Sequence, residues 1–267
     1  MSQIAEDRLE LFKKLYVKNA KNRLHELESP DINLHKRWIW ELIQNAKDCS
    51  KEETYNMKIP KNLSFVRSNQ LVDIKIIYDQ SKQVVVFMHN GLPFTTQTLD
   101  ALMFKNSTKE KEEDNTGNFT TGFMSSHILS RVVPINGPFL INNQGTWELL
   151  YISATIYFEG TSEKQIKEEF IKMEESKTFD RFDPNNEEHQ WTKFTYPLTN
   201  EISIQSANLG IQSFRDNIFQ FLLFCDEINS IQFNDEEPIF ISASSPSTQL
   251  YQTLIKQNIF KNIQVIE

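Results

Sequence analysis

Three side chains of one segment are spaced for chemistry: Glu41, Asn45 and Asp48, in Arg37-Trp38-Ile39-Trp40-Glu41-Leu42-Ile43-Gln44-Asn45-Ala46-Lys47-Asp48. At about 100° per helical residue they fall within an arc of ~60°. Ile39, Ile43 and Ala46 lie opposite. A carboxylate in such a row can activate water. An amide oxygen beside it can ligate a hard cation such as Mg²⁺. Periodicity alone is also accounted for by an amphipathic helix with a wet polar face.

Two further segments carry polar groups beside glycine. In Val84-Val85-Val86-Phe87-Met88-His89-Asn90-Gly91-Leu92-Pro93-Phe94 an apolar strand runs into a turn. Gly91 can take a positive φ there or let a ligand approach the backbone. Asn-Gly is equally the commonest dipeptide of a plain strand-ending turn. Downstream come Lys105-Asn106-Ser107-Thr108-Lys109 and then Thr116-Gly117-Asn118-Phe119-Thr120-Thr121-Gly122-Phe123. A glycine-containing loop that opens a helix presents free N–H groups and a positive dipole end, which suits phosphate. The alternative is a surface loop before a capped helix. The run Lys109-Glu110-Lys111-Glu112-Glu113-Asp114 reads as solvated loop, and the Walker-type phosphate loop G-x-x-x-x-G-K-S/T is missing.

These segments need elements to position them. Apolar spacing predicts a helix over residues 3–27 and a second over Asn33–Lys51, with a break at Ser29-Pro30-Asp31. Residues 53–70 read as loop. Strands are predicted at Leu71–Tyr78 and Gln83–Met88, a short helix at Thr96–Phe104 and a long loop at Asn106–Thr121. A buried helix over Phe123–Val132 precedes strands at Phe139–Asn142, Trp147–Phe158 and Trp191–Pro197. A charged helix over Ser162–Ser176 interrupts them, and a helix at Ile211–Cys225 and a strand at Pro238–Ser242 follow. Without regular βαβ alternation, this order predicts an α+β fold, a two-layer sandwich of a mostly antiparallel sheet with helices on one face.

Composition bounds the rest. The 267 residues hold 39% hydrophobic and 24% charged side chains, enough for a packed core and too ordered a mixture for a low-complexity chain. Only seven residues are glycine, so Gly91, Gly117 and Gly122 are a large share of them. The net charge of −8 argues against a dedicated nucleic-acid surface. Cys49 and Cys225 cannot build a disulfide framework and suit a reducing compartment. His25, His35, His127 and His189 have no metal-ligand spacing, so zinc is disfavoured. No stretch reaches the roughly 20 apolar residues of a membrane span. The N-terminus MSQIAEDRLELFKKLY lacks the apolar region of a signal peptide. The expectation is a cytoplasmic protein.

Taken in order, E-x-x-x-N-A-x-D on a helix, a strand ending in Asn-Gly and a loop-to-helix G-x-F-x-x-G-F resemble the GHKL ATPase superfamily, which includes gyrase B, MutL, histidine kinases and heat-shock chaperones. Gly117–Phe123 resembles the G-x-F-G-x-G-F of the heat-shock-chaperone and sacsin-like bacterial branch, and Lys105–Lys109 resembles its K-S-G-T-K. Thr192-Lys193-Phe194 resembles its late strand motif. The resemblance implies the Bergerat fold with an ATP lid, and ATP and Mg²⁺ as cofactors. It implies Glu41 as the base that activates water, Asn45 as the Mg²⁺ ligand and Asp48 on the adenine or ribose side. Lys105 and Thr108 would lie near the phosphates, and the backbone around Gly117, Phe119, Gly122 and Phe123 would wrap them, with residues 106–121 as lid. His89, Asn90 and Gly91 would border the base, and Thr192 would support its pocket.

Three positions depart from the family pattern. His89 stands where the family has its adenine-reading Asp, Thr120 replaces the middle glycine of the lid motif, and Trp191 replaces the glycine before Thr192. The implied activity is slow, Mg²⁺-dependent ATP hydrolysis driving conformational change, in chaperone-like work or anti-phage defence. Rival readings are a nucleotide-binding switch without turnover and a protein-interaction module. The implied arrangement is an ATP-binding domain over 1–200 and an extension over 201–267 that begins a following domain. That domain, or a partner protein, would supply a phosphate-contacting cation, and a nucleotide-dependent dimer is a further possibility.

Overall fold

The structure is a computed structural model that describes residues 27, 30–50, 71–96, 98–99, 123–143, 146–160, 162–223 and 225–240. The expected N-terminal helix apart from Leu27, the loop at 53–70, most of the helix at 96–104 and the loop at 106–121 lie outside the described residues. So do Lys105, Thr108, Gly117, Phe119 and Gly122.

The described chain is a mixed α/β fold built on one open, mostly antiparallel sheet. Its strands are β1 (Val72–Asp79), β2 (Val84–His89), β3 (Val132–Asn143), β4 (Thr146–Tyr157), β5 (Thr178–Arg181), β6 (Thr192–Pro197), β7 (Ile228–Phe233) and β8 (Ile239–Phe240). They lie in the order β5-β4-β3-β6-β2-β1-β7-β8. β1 pairs with β7 in parallel, and the other pairs are antiparallel. The helices are α1 (Ile32–Asp48), α2 (Glu163–Ser176) and α3 (Glu201–Leu223). Among the described residues no helix is long and apolar enough to cross a membrane.

Alternation decides which side chains meet the helices. In β1, β2 and β6 the buried positions are Val72, Ile74 and Ile76, then Val85, Phe87 and His89, then Thr192, Phe194 and Tyr196. The apolar members join one large core with Ile152, Ala154 and Ile156 of β4 and with residues of all three helices. α2 starts at a capping box, where Ser162 and Gln165 satisfy each other's backbone N–H groups, and buries Ile166, Phe170 and Met173.

α1 starts where Asp31 accepts the Leu34 N–H at 2.7 Å. Its buried residues are His35, Trp38, Ile39, Leu42, Ile43, Asn45 and Ala46, an arc of about 160° at the helical angle. So broad an arc is covered from two sides, by the sheet and by α3. The α3 contact is specific: the Trp38 indole donates to the Ser206 carbonyl at 2.8 Å, and His35 Nδ1 meets Ser206 Oγ at 2.7 Å. Gly210 makes room for that indole, since a Cβ there would stand 2.2 Å from Trp38 Nε1. Trp40 packs edge-on against Phe214 at 4.8 Å. Both tryptophans of the segment are therefore packing residues.

Several elements differ from expectation. The stretch from Phe123 is not a helix to Val132 but a short 3-10 turn over Met124–Ile128, and Val132 already opens β3. β3 is longer than its sequence suggests because Pro134, Gly137 and Pro138 disguise it. Its pairing with β6 is confined to Ile135–Phe194 and Asn136–Lys193, which leaves most of its N–H groups on that side without a ladder to serve. α3 begins at Glu201, ten residues before Ile211. β5 and β7 were not foreseen.

The Trp38–Gly210 contact makes a prediction. Gly210→Ala should gain up to about 1 kcal/mol of helix propensity. It should lose more by overpacking, typically about 1–3 kcal/mol. A net loss of stability in urea denaturation is expected, and a net gain would mean that α1 and α3 do not meet this way.

Candidate functional site

The C-terminal turn of α1, the end of β2 and the start of β6 come together. The Leu92 N–H donates to the Cys49 carbonyl at 2.8 Å. A Cβ on Gly91 would stand 2.7 Å from the Cys49 Cβ. What approaches the Gly91 backbone is therefore the end of α1, and this contact requires glycine. His89 and Thr192 are cross-strand partners on the core face. A Cβ on Gly137 would stand 3.0 Å from the Thr192 Cα, so β3 also closes on this point.

Among the described residues three buried side-chain atoms have no hydrogen-bond partner: Asn45 Nδ2, Ser50 Oγ and Thr192 Oγ1. Asn45 and Ser50 belong to the end of α1 and its exit, and Thr192 opens β6. Such atoms are rare because each costs about 1–3 kcal/mol when left unpaired. Asn45 and Thr192 are two of the positions singled out from sequence. Asn45 lies at the margin of the buried arc and is itself buried, while Glu41 and Asp48 beyond it are half-buried. The polar row of α1 is thus not a uniformly solvated face.

Glu41 has a partner the sequence reading passed over. Arg37 Nε donates to Glu41 Oε1 at 2.7 Å, an i,i+4 pair. The spacing alone would have revealed it. Arg37 is 52% exposed against 18% for Glu41, so the guanidinium is the member that water reaches. Ser50 was also missed, and nothing in its sequence surroundings distinguishes it.

The other expected residues are placed as follows. Asn90 turns to the opposite sheet face, where its Nδ2 donates to Asp73 Oδ2 at 2.8 Å and its Oδ1 accepts the Asp73 N–H at 2.7 Å. Asp73 Oδ1 also accepts from Asn229 Nδ2 at 2.7 Å and from the Ser230 hydroxyl. This clasp ties the end of β2 to β1 and β7. The Phe123 ring is fully buried, 5.5 Å from both Phe194 and His127, so its side chain is core and only its backbone remains for a ligand. Trp191 is itself buried, with the Lys75 ammonium over its ring at 4.2 Å.

His89 is buried between strand neighbours, with Phe194 stacked at 6.2 Å. Its Nδ1 accepts the Gly91 N–H at 3.3 Å. Burial pushes its pKa down to about 4. Among the described residues no group of three or more His, Cys, Asp or Glu side chains could hold a metal ion. A cavity of about 630 Å³ opens at the other end of β1 and β2, lined by Tyr78, Asp79, Asn208, Arg215 and Asn234 among others. It holds none of the expected site residues. Compared with protein-family models and with curated proteins, the chain matches none.

The buried imidazole fixes a pH dependence. Between pH about 6.5, the ordinary His value, and about 4, the unfolded chain binds a proton that the folded His89 refuses. Stability is therefore full above that window and falls as pH drops through it, by about 3 kcal/mol for this group. Urea midpoints at pH 7 and pH 4.5 should separate more in wild type than in His89→Leu. Equal separations would mean that His89 is not buried neutral.

Proposed function

We propose that the chain is a Mg²⁺-dependent nucleotide-binding domain of the GHKL type that hydrolyses ATP slowly. The observation that carries this reading is the pair of unpartnered buried atoms on Asn45 and Thr192, positions the motif resemblance had selected independently. A bound ligand would satisfy atoms that the protein leaves unpaired. The mixed, mostly antiparallel sheet under helices is compatible with the Bergerat fold.

In this reading each residue has a task. Asn45 fits a hard cation because it carries an amide oxygen, a hard ligand of the kind Mg²⁺ takes. Mg²⁺, when bound with the triphosphate, would neutralise phosphate charge. Glu41 would orient water and take its proton, which requires Arg37 to release Oε1. Arg37 is then a cation already at the site, beside whatever a following domain or partner contributes. Asp48 would contact the sugar or base, and Thr192 would hydrogen-bond the base from β6. For Lys105, Thr108, Gly117, Phe119, Gly122 and a lid over 106–121, all outside the described residues, the support is the resemblance alone. Chaperone-like work and anti-phage defence both suit a domain whose ligand drives conformational change.

One observation favours a second reading, a nucleotide-binding switch with little turnover. Glu41 is held by Arg37, and a carboxylate so engaged does not act as a base.

A thermal-shift titration followed by phosphate release separates the two. Mg²⁺-ATP at about 100 times its dissociation constant should stabilise by about 2.7 kcal/mol. Glu41→Ala should keep that shift and lose roughly 100-fold or more in phosphate release. Asn45→Ala should weaken binding of Mg²⁺-ATP more than of ATP in chelator, because its amide acts through the metal. No shift with any nucleotide would reject the domain assignment, and a shift without turnover would leave the switch.

A further inference from the structure

The hydrogen bond that His89 accepts sets what its other ring nitrogen can offer a ligand. Gly91 donates to Nδ1, so the neutral imidazole carries its proton on Nε2. In that tautomer the remaining nitrogen donates and cannot accept. Beside it the unpartnered hydroxyl of Thr192 has a proton to give. The carboxylate on the neighbouring strand, Asp73, accepts from Asn90, Asn229 and Ser230 on the other sheet face and offers nothing here. Thr192 is the cross-strand partner of His89, so the two side chains stand side by side on one face, about 5 Å apart at Cβ.

We propose that this end of the sheet recognises its ligand through an acceptor atom, so that a nucleotide with a 6-oxopurine base, guanine or hypoxanthine, binds better than one with a 6-aminopurine. The proposal rests on the nucleotide-binding reading and specifies the base. A keto oxygen can take the Nε2 proton of His89 and the hydroxyl proton of Thr192. An exocyclic amino group would face the His89 N–H donor to donor, giving up its water without gaining an acceptor. His89 is then the residue that determines base specificity.

The test measures binding of the Mg²⁺ complexes of ITP, GTP and ATP to the full chain by calorimetry, in wild type, His89→Asp and His89→Asn. ITP differs from ATP only on the edge formed by position 6 and N1, because hypoxanthine lacks the 2-amino group of guanine. Leaving one donor unsatisfied predicts at least about fivefold weaker binding of ATP than of ITP. His89→Asp, an obligate acceptor when ionised, should reverse the order. His89→Asn, donor and acceptor at once, should erase the preference, and it serves the test should the aspartate variant fail to fold. ATP binding as tightly as ITP or more tightly in wild type overturns the proposal and leaves the nucleotide site standing. Retention of the ITP preference in both variants overturns the role of His89. Failure of all three nucleotides to bind overturns the proposal together with the reading beneath it.

Discussion

The contact between the end of α1 and the end of β2 governs the rest of the structure. It consists of the Leu92 N–H on the Cys49 carbonyl and a Gly91 backbone that admits Cys49 because it carries no side chain. Through it the last turn of α1, with Asn45, Asp48 and Ser50, is set against the strand end that carries His89. The contact would be loose if α1 could slide. Trp38, wedged at Gly210 and bonded to Ser206, locks the helix to α3, and the Asp73 clasp locks the strand end to β1 and β7. Two anchors, a tryptophan packed and hydrogen-bonded on α3 and a carboxylate clasp, thus fix the two sides of the same junction.

Such rigidity gives meaning to the unpaired atoms. In a mobile region an orphaned amide or hydroxyl would find water or turn to a neighbour. Asn45 Nδ2, Ser50 Oγ and Thr192 Oγ1 are instead held in packed positions, at a cost comparable to the net worth of several hydrogen bonds. Stability given up at one place and retained elsewhere is the usual signature of a site. The Arg37–Glu41 pair adds a reversible element, because its exposed guanidinium can leave without disturbing the core.

Much of this was legible in the sequence, and the limits have physical causes. α1 and β2 announce themselves by apolar spacing, and α2 by its Ser162 start. β3 hides behind Pro134, Gly137 and Pro138, which are tolerable only because its pairing with β6 is short. β7 interleaves Asn229 and Ser230 with apolar residues, and those two serve Asp73, a partner 156 and 157 residues away in sequence. The first half of α3 looks weakly helical because Ser206 and Gly210 are there for Trp38. In the site, the polar row of α1 was readable, but the burial of Asn45 was not. It follows from coverage by both sheet and α3, which one-helix periodicity cannot see. The hydrogen bond on Nδ1 that sets the His89 tautomer is likewise visible only in three dimensions.

The central claim is that the junction of α1, β2 and β6 is where this chain binds its ligand. Amide hydrogen exchange, read by mass spectrometry with and without saturating Mg²⁺ and nucleoside triphosphate, addresses it without any substitution. Added protection should concentrate in the last turns of α1 through Ser50, in His89–Leu92 and at Trp191–Lys193, with β4 and β5 unchanged. Protection confined to the turn at Asp79–Gln80 and to α3 around Arg215, where the other cavity opens, would contradict it.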